Sequence, residues 1–538
     1  MSTAVVPRVE VPKPTMIDRA IEYFAPQRAV RRLHARAVLS FASGGYDGAR
    51  TDRPATREWQ PRGGDADENQ LPDLPMLRRR SSDLVRNAPV AAGALETTAT
   101  STVGAGLVLH ARIDRDLLGL SEKEADAWER DAERFFAAWA GSHACDITRR
   151  HDFYTLQDVV FRSQLERGDV LVIRRYRERP GELLGLKLQL IEADRISNPE
   201  DRADSDRLKG GVEIDSFGAP IRYHVADKHP DSGLYRGQRQ WKPVPAFGQS
   251  GEKLALHVFK PDRVGQTRGT PIFAPVIETL KQLERYTGAE LSAAEISSFF
   301  TAFIKSAVEA EAGSGLAPVD ADDPDPPAAS NYKMGPAAVL DLAPGEDVEF
   351  ANPTRPNAQF DPFFQAVLRQ VGPAIGLPFE LLVLHFTSSY SASRAAMLEA
   401  WRRFMTRRCW LARLFCQPSY EWAITEGVLR GIISAPGYLQ DPIIRRAWLG
   451  SEWIGGAQGQ IDPLKEIKAA EGRTTLGVTT LAEETAQMTG GDWERKHRQR
   501  VKEERMRRRD GLVSATASLP DEEEADSGKQ EEEEDRED

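Results

Sequence analysis

The chain has 538 residues, 40% of them apolar, and a formal net charge of −11; that is length for three or four ordinary domains and enough apolar side chain to bury real cores. No run approaches the roughly 18 uninterrupted apolar residues of a membrane helix, and the start, MSTAVVPRVEVPKPTMIDRA, lacks the basic-then-apolar layout of a signal peptide, so a soluble, unexported protein is expected. Three cysteines, Cys145, Cys409 and Cys416, exclude a disulfide framework and are expected as free thiols in a reducing compartment.

In chain order, residues 40–74 are rich in Gly, Asp, Arg and Pro and read as a surface arm. Residues 75–111 read as two helices broken near Asn87-Ala88-Pro89 and a strand at 107–110. The glycines Gly104 and Gly106 follow a helix and precede a strand, the reverse of a dinucleotide loop, whose glycines sit where a helix N-terminus aims amides at phosphate. Residues 121–168 carry a helical pattern, with Trp128, Phe135, Phe136 and Trp139 spaced for one buried face. Alternating segments at 168–178, 186–196, 209–227 and 253–261 then predict strands, the third folding into a hairpin about DSFGAP. Residues 75–273 are thus an α+β layer.

A long helix is expected over 274–306, opening with Pro275 near its first turn and spanning about 45 Å at ~1.5 Å per residue. Its second half is rich in Ala and Ser, which permits close helix neighbours. Residues 311–334 are full of Gly, Pro and Asp and read as a solvated loop. Asp320, Asp322, Asp323 and Asp325 resemble a calcium loop only superficially, since Pro324 and Pro326 interrupt them. A second helix follows over 358–375, closed by Gly376-Leu377-Pro378.

Next comes FTSSYSASRAAMLEAWRRFMTRRCWLARLFCQP, 386–418, which turns from small hydroxylated residues to aromatics, aliphatics and arginines. Met397, Trp401, Phe404, Leu411 and Phe415 make a core stripe on a helix over 396–415. Arg394, Arg402, Arg403, Arg407, Arg408 and Arg413 face only Glu399 in that stretch, so they need counter-charges from a neighbouring subunit, from DNA phosphates, or from solvent. At the C-terminal end, residues 494–510 hold nine Lys or Arg against four acids, and 521–538 hold twelve acids against Lys529 and Arg536. The tail alone therefore supplies −10 of the net −11. Such blocks are solvated, or they meet a partner or nucleic acid.

Catalysis has no visible seat: there is no G-x-x-x-x-G-K-[ST], G-x-S-x-G or H-E-x-x-H sequence, so no enzyme, cofactor or metal is expected. His143 and Cys145 form a lone H-x-C pair without two further ligands, and a metal-dependent nuclease would need clustered carboxylates outside a Pro-rich loop. A monomeric nucleic-acid-binding protein using the basic 495–509 helix is the other alternative, but the near-neutral body offers no extended basic surface.

The segments RNAPVAAGALETTATSTVGAGL, FRSQLERGDVLVIRRYRER, LIEADRISNP, GVEIDSFGAPIRYHV, LAPGEDVEF, ANPTRPNAQFDPF, GLPFELL, SYSASRAAMLEAWRRF and IDPLKEIKAA, in this order, resemble the portal proteins of tailed bacteriophages, specifically the lambda-type portal family. The similarity runs from about residue 20 to about 505 and leaves the acidic tail outside it. It implies a cyclic homo-oligomer, usually of twelve subunits, at one capsid vertex in the virion. DNA passes through the ring in both directions without sequence preference, and the ring meets the terminase large subunit, the major capsid or scaffolding protein and the head-tail connector; no membrane is involved. The implied organisation is a portal-type α+β fold: arm 1–74, partly disordered; α/β wing 75–273; first stem helix 274–306; small β-containing clip 307–357; second stem helix 358–376; channel loop 377–395; long helix and helical crown 396–510; disordered acidic tail 511–538. The channel loop would present His385, Thr387, Ser388, Ser389, Tyr390, Ser391 and Arg394, small polar groups that touch DNA without gripping it. Arg402, Arg403, Arg407 and Arg408 behind it are the candidates for contacts between subunits or with DNA.

Overall fold

The computed structural model describes residues 21–34 apart from 22, 29 and 33, then 54–61, 63–233, 238–298, 302–306, 346–350, 359–386, 389–459 and 462–512. Two units are distinct, 1–65 and 66–538. In the first, the described residues of 21–34 are largely helical. The remainder of the fold belongs to the second.

That unit opens with α1 (Ala66–Gln70), before the expected end of the arm at 74. Asp67 is buried there because it accepts from the Thr267 amide at 2.8 Å and from its hydroxyl at 2.7 Å. The predicted break at Ala88 is real: α2 (Leu74–Asn87) and α3 (Pro89–Thr102) meet at an extended residue, with Pro89 in the first turn of α3 where its missing N–H leaves no bond unmade. The predicted strand is β1 (Val108–Ala111). The helical pattern of 121–168 resolves into α4 (Glu122–Ala140), held by a Ser121/Glu124 capping box, and α5 (Phe153–Arg167).

Three of the next strands form an antiparallel sheet in the order β3-β2-β8, from β2 (Asp169–Tyr176), β3 (Leu186–Glu192) and β8 (Ala255–Phe259). The four-stranded antiparallel sheet, in sequence order, contains β4 (Leu208–Lys209), β5 (Val212–Ile214), β6 (Pro220–Ala226) and β7 (Trp241–Pro245). The DSFGAP hairpin joins β5 to β6. The strand β7 was not predicted. Its WKPVP carries two prolines, which strike out ladder donors, and it lies at the edge, where that is tolerated.

Successive residues of a strand point to opposite faces, and here that divides the interior in two. Val170 and Val172, with Leu186, Leu188, Leu256 and Val258, face the main core; Leu171 and Ile173, with Ile191 and Ala255, face a smaller one completed by Val212, Tyr223, Val225 and Val244 of the other sheet. The apolar run of β2 is continuous because both of its faces are covered.

The helix expected over 274–306 is shorter. After a 3-10 turn at Ala274–Val276, α6 runs Ile277–Ser298 and Ala302–Ser306 is instead β9, paired antiparallel with β10 (Glu346–Phe350). The sequence FFTAFI, 299–304, explains the change, since aromatic and β-branched residues favour strand over helix. The calcium-like aspartates and the rest of the expected clip, 307–357, lie outside the described residues apart from β10, as does the tail from 513. The second helix is α7 (Phe360–Ile375), ended by Gly376 at φ 82°, a left-handed conformation that suits glycine.

The chain continues through α8 (Phe379–Val383) and α9 (Tyr390–Leu411), then a π turn at Ala412–Cys416 and α10 (Gln417–Leu429). Pro418 accounts for the wide turn: it has no N–H to give and its ring crowds the preceding turn. The remaining elements are α11 (Pro442–Trp448), β11 (Ser451–Ile454), α12 (Pro463–Thr475), α13 (Leu481–Thr489) and α14 (Trp493–Arg509). Strand β11 pairs antiparallel with β1, a contact across more than 300 residues that no local pattern announces. The main core closes around aromatic rings: Phe136 lies 5.4 Å from Phe153, 5.5 Å from Tyr420 and 5.8 Å from Trp453, and Phe153 stacks on Phe415 at 5.3 Å.

Candidate functional site: the loop after α8 and the arginine helix

Leu384 ends α8 in a left-handed conformation, φ 52°, which turns the chain sharply. The His385 amide donates to the Glu380 carbonyl at 3.1 Å, and the His385 side chain is exposed. Thr387 and Ser388 lie outside the described residues. At Ser389 the loop is over: its hydroxyl accepts from the Ala392 amide at 3.4 Å and caps α9.

The loop is therefore tighter than the sequence pattern suggests. Tyr390, Ser391, Ser393 and Arg394, expected on a loop reaching to 395, are in the first turns of a helix that starts at Tyr390 rather than Ala396. The serine cap and the following alanines give helix a local advantage there.

The arginine row separates into three kinds of environment. Arg394 pairs with Glu466 of α12 at 2.5 Å. Arg407 and Arg408 point into the fold. Arg407 Nη2 donates to the Ile375 carbonyl at 2.8 Å, at the C-terminal end of α7, and burial, aided by neighbouring Arg403, pushes its pKa down to about 10. Arg408 is buried; Nε donates to the Thr102 carbonyl at 3.0 Å and Nη2 to the Ser101 carbonyl at 3.3 Å, at the end of α3. Its guanidinium also lies 5.2 Å from the centre of the Trp401 ring, and burial lowers its pKa. Both side chains thus answer the negative ends of helix dipoles with a cation.

Arg402 and Arg403 differ. Their side chains are 81% and 46% exposed, and both reach Glu399, at 3.3 and 4.0 Å. One exposed carboxylate between two exposed guanidinia leaves positive charge on that face of α9. The stripe behind it is partly as expected: Phe404, Leu411 and Phe415 are buried, while Met397 and Trp401 are only half-buried.

A second charged cluster escaped the sequence reading. Asp169, fully buried at the start of β2, accepts from Arg78 Nη2 at 2.8 Å, Arg268 Nε at 2.6 Å, His257 Nε2 at 3.0 Å and the Gly269 amide at 3.2 Å. Burial by itself would raise the carboxyl, but Arg268, Arg78 and the His257 bond hold it well below the usual carboxylate range. Arg268 also donates to the carbonyls of Ile196, Ala193 and Gly210. Arg78, His257 and Arg268 lie 91, 88 and 99 positions from Asp169 in sequence; the local signal was a charged Asp opening the apolar run Val170–Ile173.

Two groups carry metal-ligating residue types. Cys145 is buried, its thiol donates to the His151 carbonyl at 3.7 Å, and burial with Asp146 and Asp152 nearby pushes it up to about 12, so the thiolate a metal needs is disfavoured. Glu192, Asp194 and His229 place ligand atoms within 4.8 Å of one another. Arg167 already supplies the positive charge there, 2.6 Å from Asp194 and 3.3 Å from Glu192.

With this geometry in place, comparison with known proteins is decisive. The family model "Phage portal protein, lambda family" matches residues 52–408, from the first unit as far as Arg408 of the arginine row. The chain belongs to the lambda family of phage portal proteins. Portal protein B of Escherichia phage lambda is 27% identical over 475 residues, covering 85% of this chain and 88% of its own. The portal protein of Escherichia phage N15 is likewise 27% identical, over 85% and 89% of the two chains. Among solved structures, the neck of a native gene transfer agent particle computed with C12 symmetry aligns over 84% of this chain and 99% of that one, at 13% identity and a TM-score of 0.40. As a family member the chain is a component of a phage particle, with the mixed helix-and-sheet fold expected of it. No helix among the described residues is long and apolar enough to cross a membrane.

Proposed function

We propose that this portal-family chain assembles into a closed ring of twelve at a single capsid vertex, through which double-stranded DNA enters during packaging and leaves on ejection. The family match over 52–408 supports the reading, because it spans in one order the α+β segment, helices α6 and α7 and the turn into α9. The ring sits against the major capsid or scaffolding protein; the clip, 307–357, receives first the terminase large subunit and later the head-tail connector. The chain itself is structural, and the terminase hydrolyses the ATP.

Within the ring, the turn at 384–389 faces the channel, and α9 braces it through Phe404 and the inward Arg407 and Arg408. Exposed Arg402 and Arg403 are free to meet a neighbouring subunit's acids or DNA phosphate, and a bond to a neighbour fits a cyclic head-to-tail contact. Negative-stain microscopy of purified protein is the test: rings with a central hole are expected. A strictly monomeric species across micromolar concentrations at moderate salt overturns the proposal and favours nucleic-acid binding through the 495–509 helix.

A further inference from the structure

The helix α14 is long, basic and solvated. None of its residues is buried, and among the described residues its side-chain bonds to the body lie at its start, where Asp492 caps the Glu494 amide at 2.8 Å, Arg112 lies 3.6 Å from Glu494 and Lys496 donates to the Thr489 hydroxyl. Over 494–510 the net charge is +5, from nine bases and four acids. Three bases have acidic partners on the same stretch: Arg498 with Glu494, Arg508 with Glu504 and Arg509 with Asp510. Arg495, Arg500, Lys502, Arg505 and Arg507 have none among the described residues. Like charges three and four apart destabilise a solvated helix, and a helix polar all round gains nothing from packing. Such a surface is complete only with an anion.

We propose that the occupant is the chain's own acidic tail, 521–538, which lies back along α14 and screens it from other polyanions. This goes beyond the portal reading and does not depend on it. The charges are complementary, −10 on the tail against +5 on the helix. The reach is sufficient: α14 is about 25 Å long, and the ten-residue connector 511–520 spans up to roughly 33 Å extended, so the tail can return to any point on the helix from which it departs. Tethering is what decides the competition. A tether of ten residues gives an effective concentration on the order of millimolar, above the ~10⁻⁴ to 10⁻⁶ M dissociation constants of non-specific DNA binding. The tail also over-neutralises the helix, so the closed arrangement repels DNA rather than merely ignoring it. Because the contact is between exposed charges, salt opens it.

Two measurements on the full-length protein test this. Zero-length carbodiimide cross-linking followed by peptide mapping is expected to join tail carboxylates to Lys496 or Lys502, and to lose those links in an Arg500→Glu, Arg505→Glu, Arg507→Glu chain, whose substitutions are exposed and keep good helix formers. Duplex DNA binding, read by fluorescence anisotropy, is expected to tighten at least ~10-fold at about 50 mM salt when the chain stops after Pro520, and to differ less than ~2-fold at about 500 mM. In the charge-reversed chain the same truncation should change little. The proposal is overturned if no tail carboxylate links to either lysine, if truncation leaves DNA affinity unchanged, or if it tightens binding equally in the charge-reversed chain, which would place the effect elsewhere on the molecule. Ring formation is scored separately, so a monomeric result would count against the portal reading and leave the cross-links standing.

Discussion

Arg78 and Arg268 beside β2 and Arg402 and Arg403 on α9 are the same side chain in opposite circumstances. The first pair is buried about one carboxylate and several carbonyls; the second is exposed about one surface carboxylate. What differs is not charge but the number of fixed acceptors the fold brings to each guanidinium. A buried ion cluster survives only when each lone pair and N–H is met, and four elements distant in sequence meet at Asp169 to do that. Among the described residues the exposed pair has no such enclosure, and so keeps its capacity to bind something else.

The comparison breaks most visibly at Asp169. Asp169→Ala leaves two buried guanidinia without their anion and is expected to cost on the order of 3–5 kcal/mol, read as a fall in denaturation midpoint. Acid should do part of the same work. The folded Asp169 carboxyl is held well below its ordinary value of about 3.9, so the stability it contributes is present above that pH and is lost as pH falls through the folded value. Buried His257 is shifted down too, by its burial. It stays neutral in the folded chain where the unfolded one takes up a proton, so stability should begin to decline below about pH 6.5. Asp169→Asn should flatten the lower part of that curve; an unchanged acid profile in this variant would remove the cluster from the account.

The next effects lie in α9. Phe404 is 3% exposed, so Phe404→Ala is expected to cost on the order of 3–5 kcal/mol by burial lost and cavity left. Half-buried Trp401→Ala should cost clearly less, although the sequence pattern made the two equal anchors. Arg408→Ala is predicted to cost about 1–3 kcal/mol, since it strands the Ser101 and Thr102 carbonyls. Chemical denaturation of the three variants side by side ranks them.

How much of this was legible in the sequence follows from the range of the interactions. The break at Ala88, the DSFGAP hairpin and the Gly376 stop are local, decided by proline, turn residues and glycine, and each stands where the pattern put it. The helix expected over 274–306 is shorter than the pattern suggests because small residues at 291–298 hide the change to the strand-forming FFTAFI. The loop was over-read for the converse reason: serines look like loop residues, yet Ser389 is a cap and the alanines beyond it are helical. The Asp169 cluster, the β1–β11 pair and the inward turn of Arg407 and Arg408 depend on elements brought together from afar, and a row of arginines on one helix carries no mark of which will find carbonyls.

Arg402→Glu with Arg403→Glu should have the smallest effect on the folded subunit and the most informative effect beyond it. Both side chains are exposed, their partner among the described residues, Glu399, is exposed as well, and surface pairs of this kind contribute little to stability. The unfolding midpoint is therefore expected to stay close to that of the unaltered chain. Ring yield and DNA-filled head counts then separate the two roles proposed for the pair: if it bridges subunits, rings fail to close, whereas if it meets phosphate, rings form and only DNA handling suffers. Removing Thr387 and Ser388 completes the contrast, because the turn ends at the Ser389 cap and α9 can keep its packing without them. Rings should survive that deletion while packaging or retention of DNA falls. A deleted chain that packages and retains DNA as well as the unaltered one would take the turn out of the channel, and with it the reason for bracing α9 behind it.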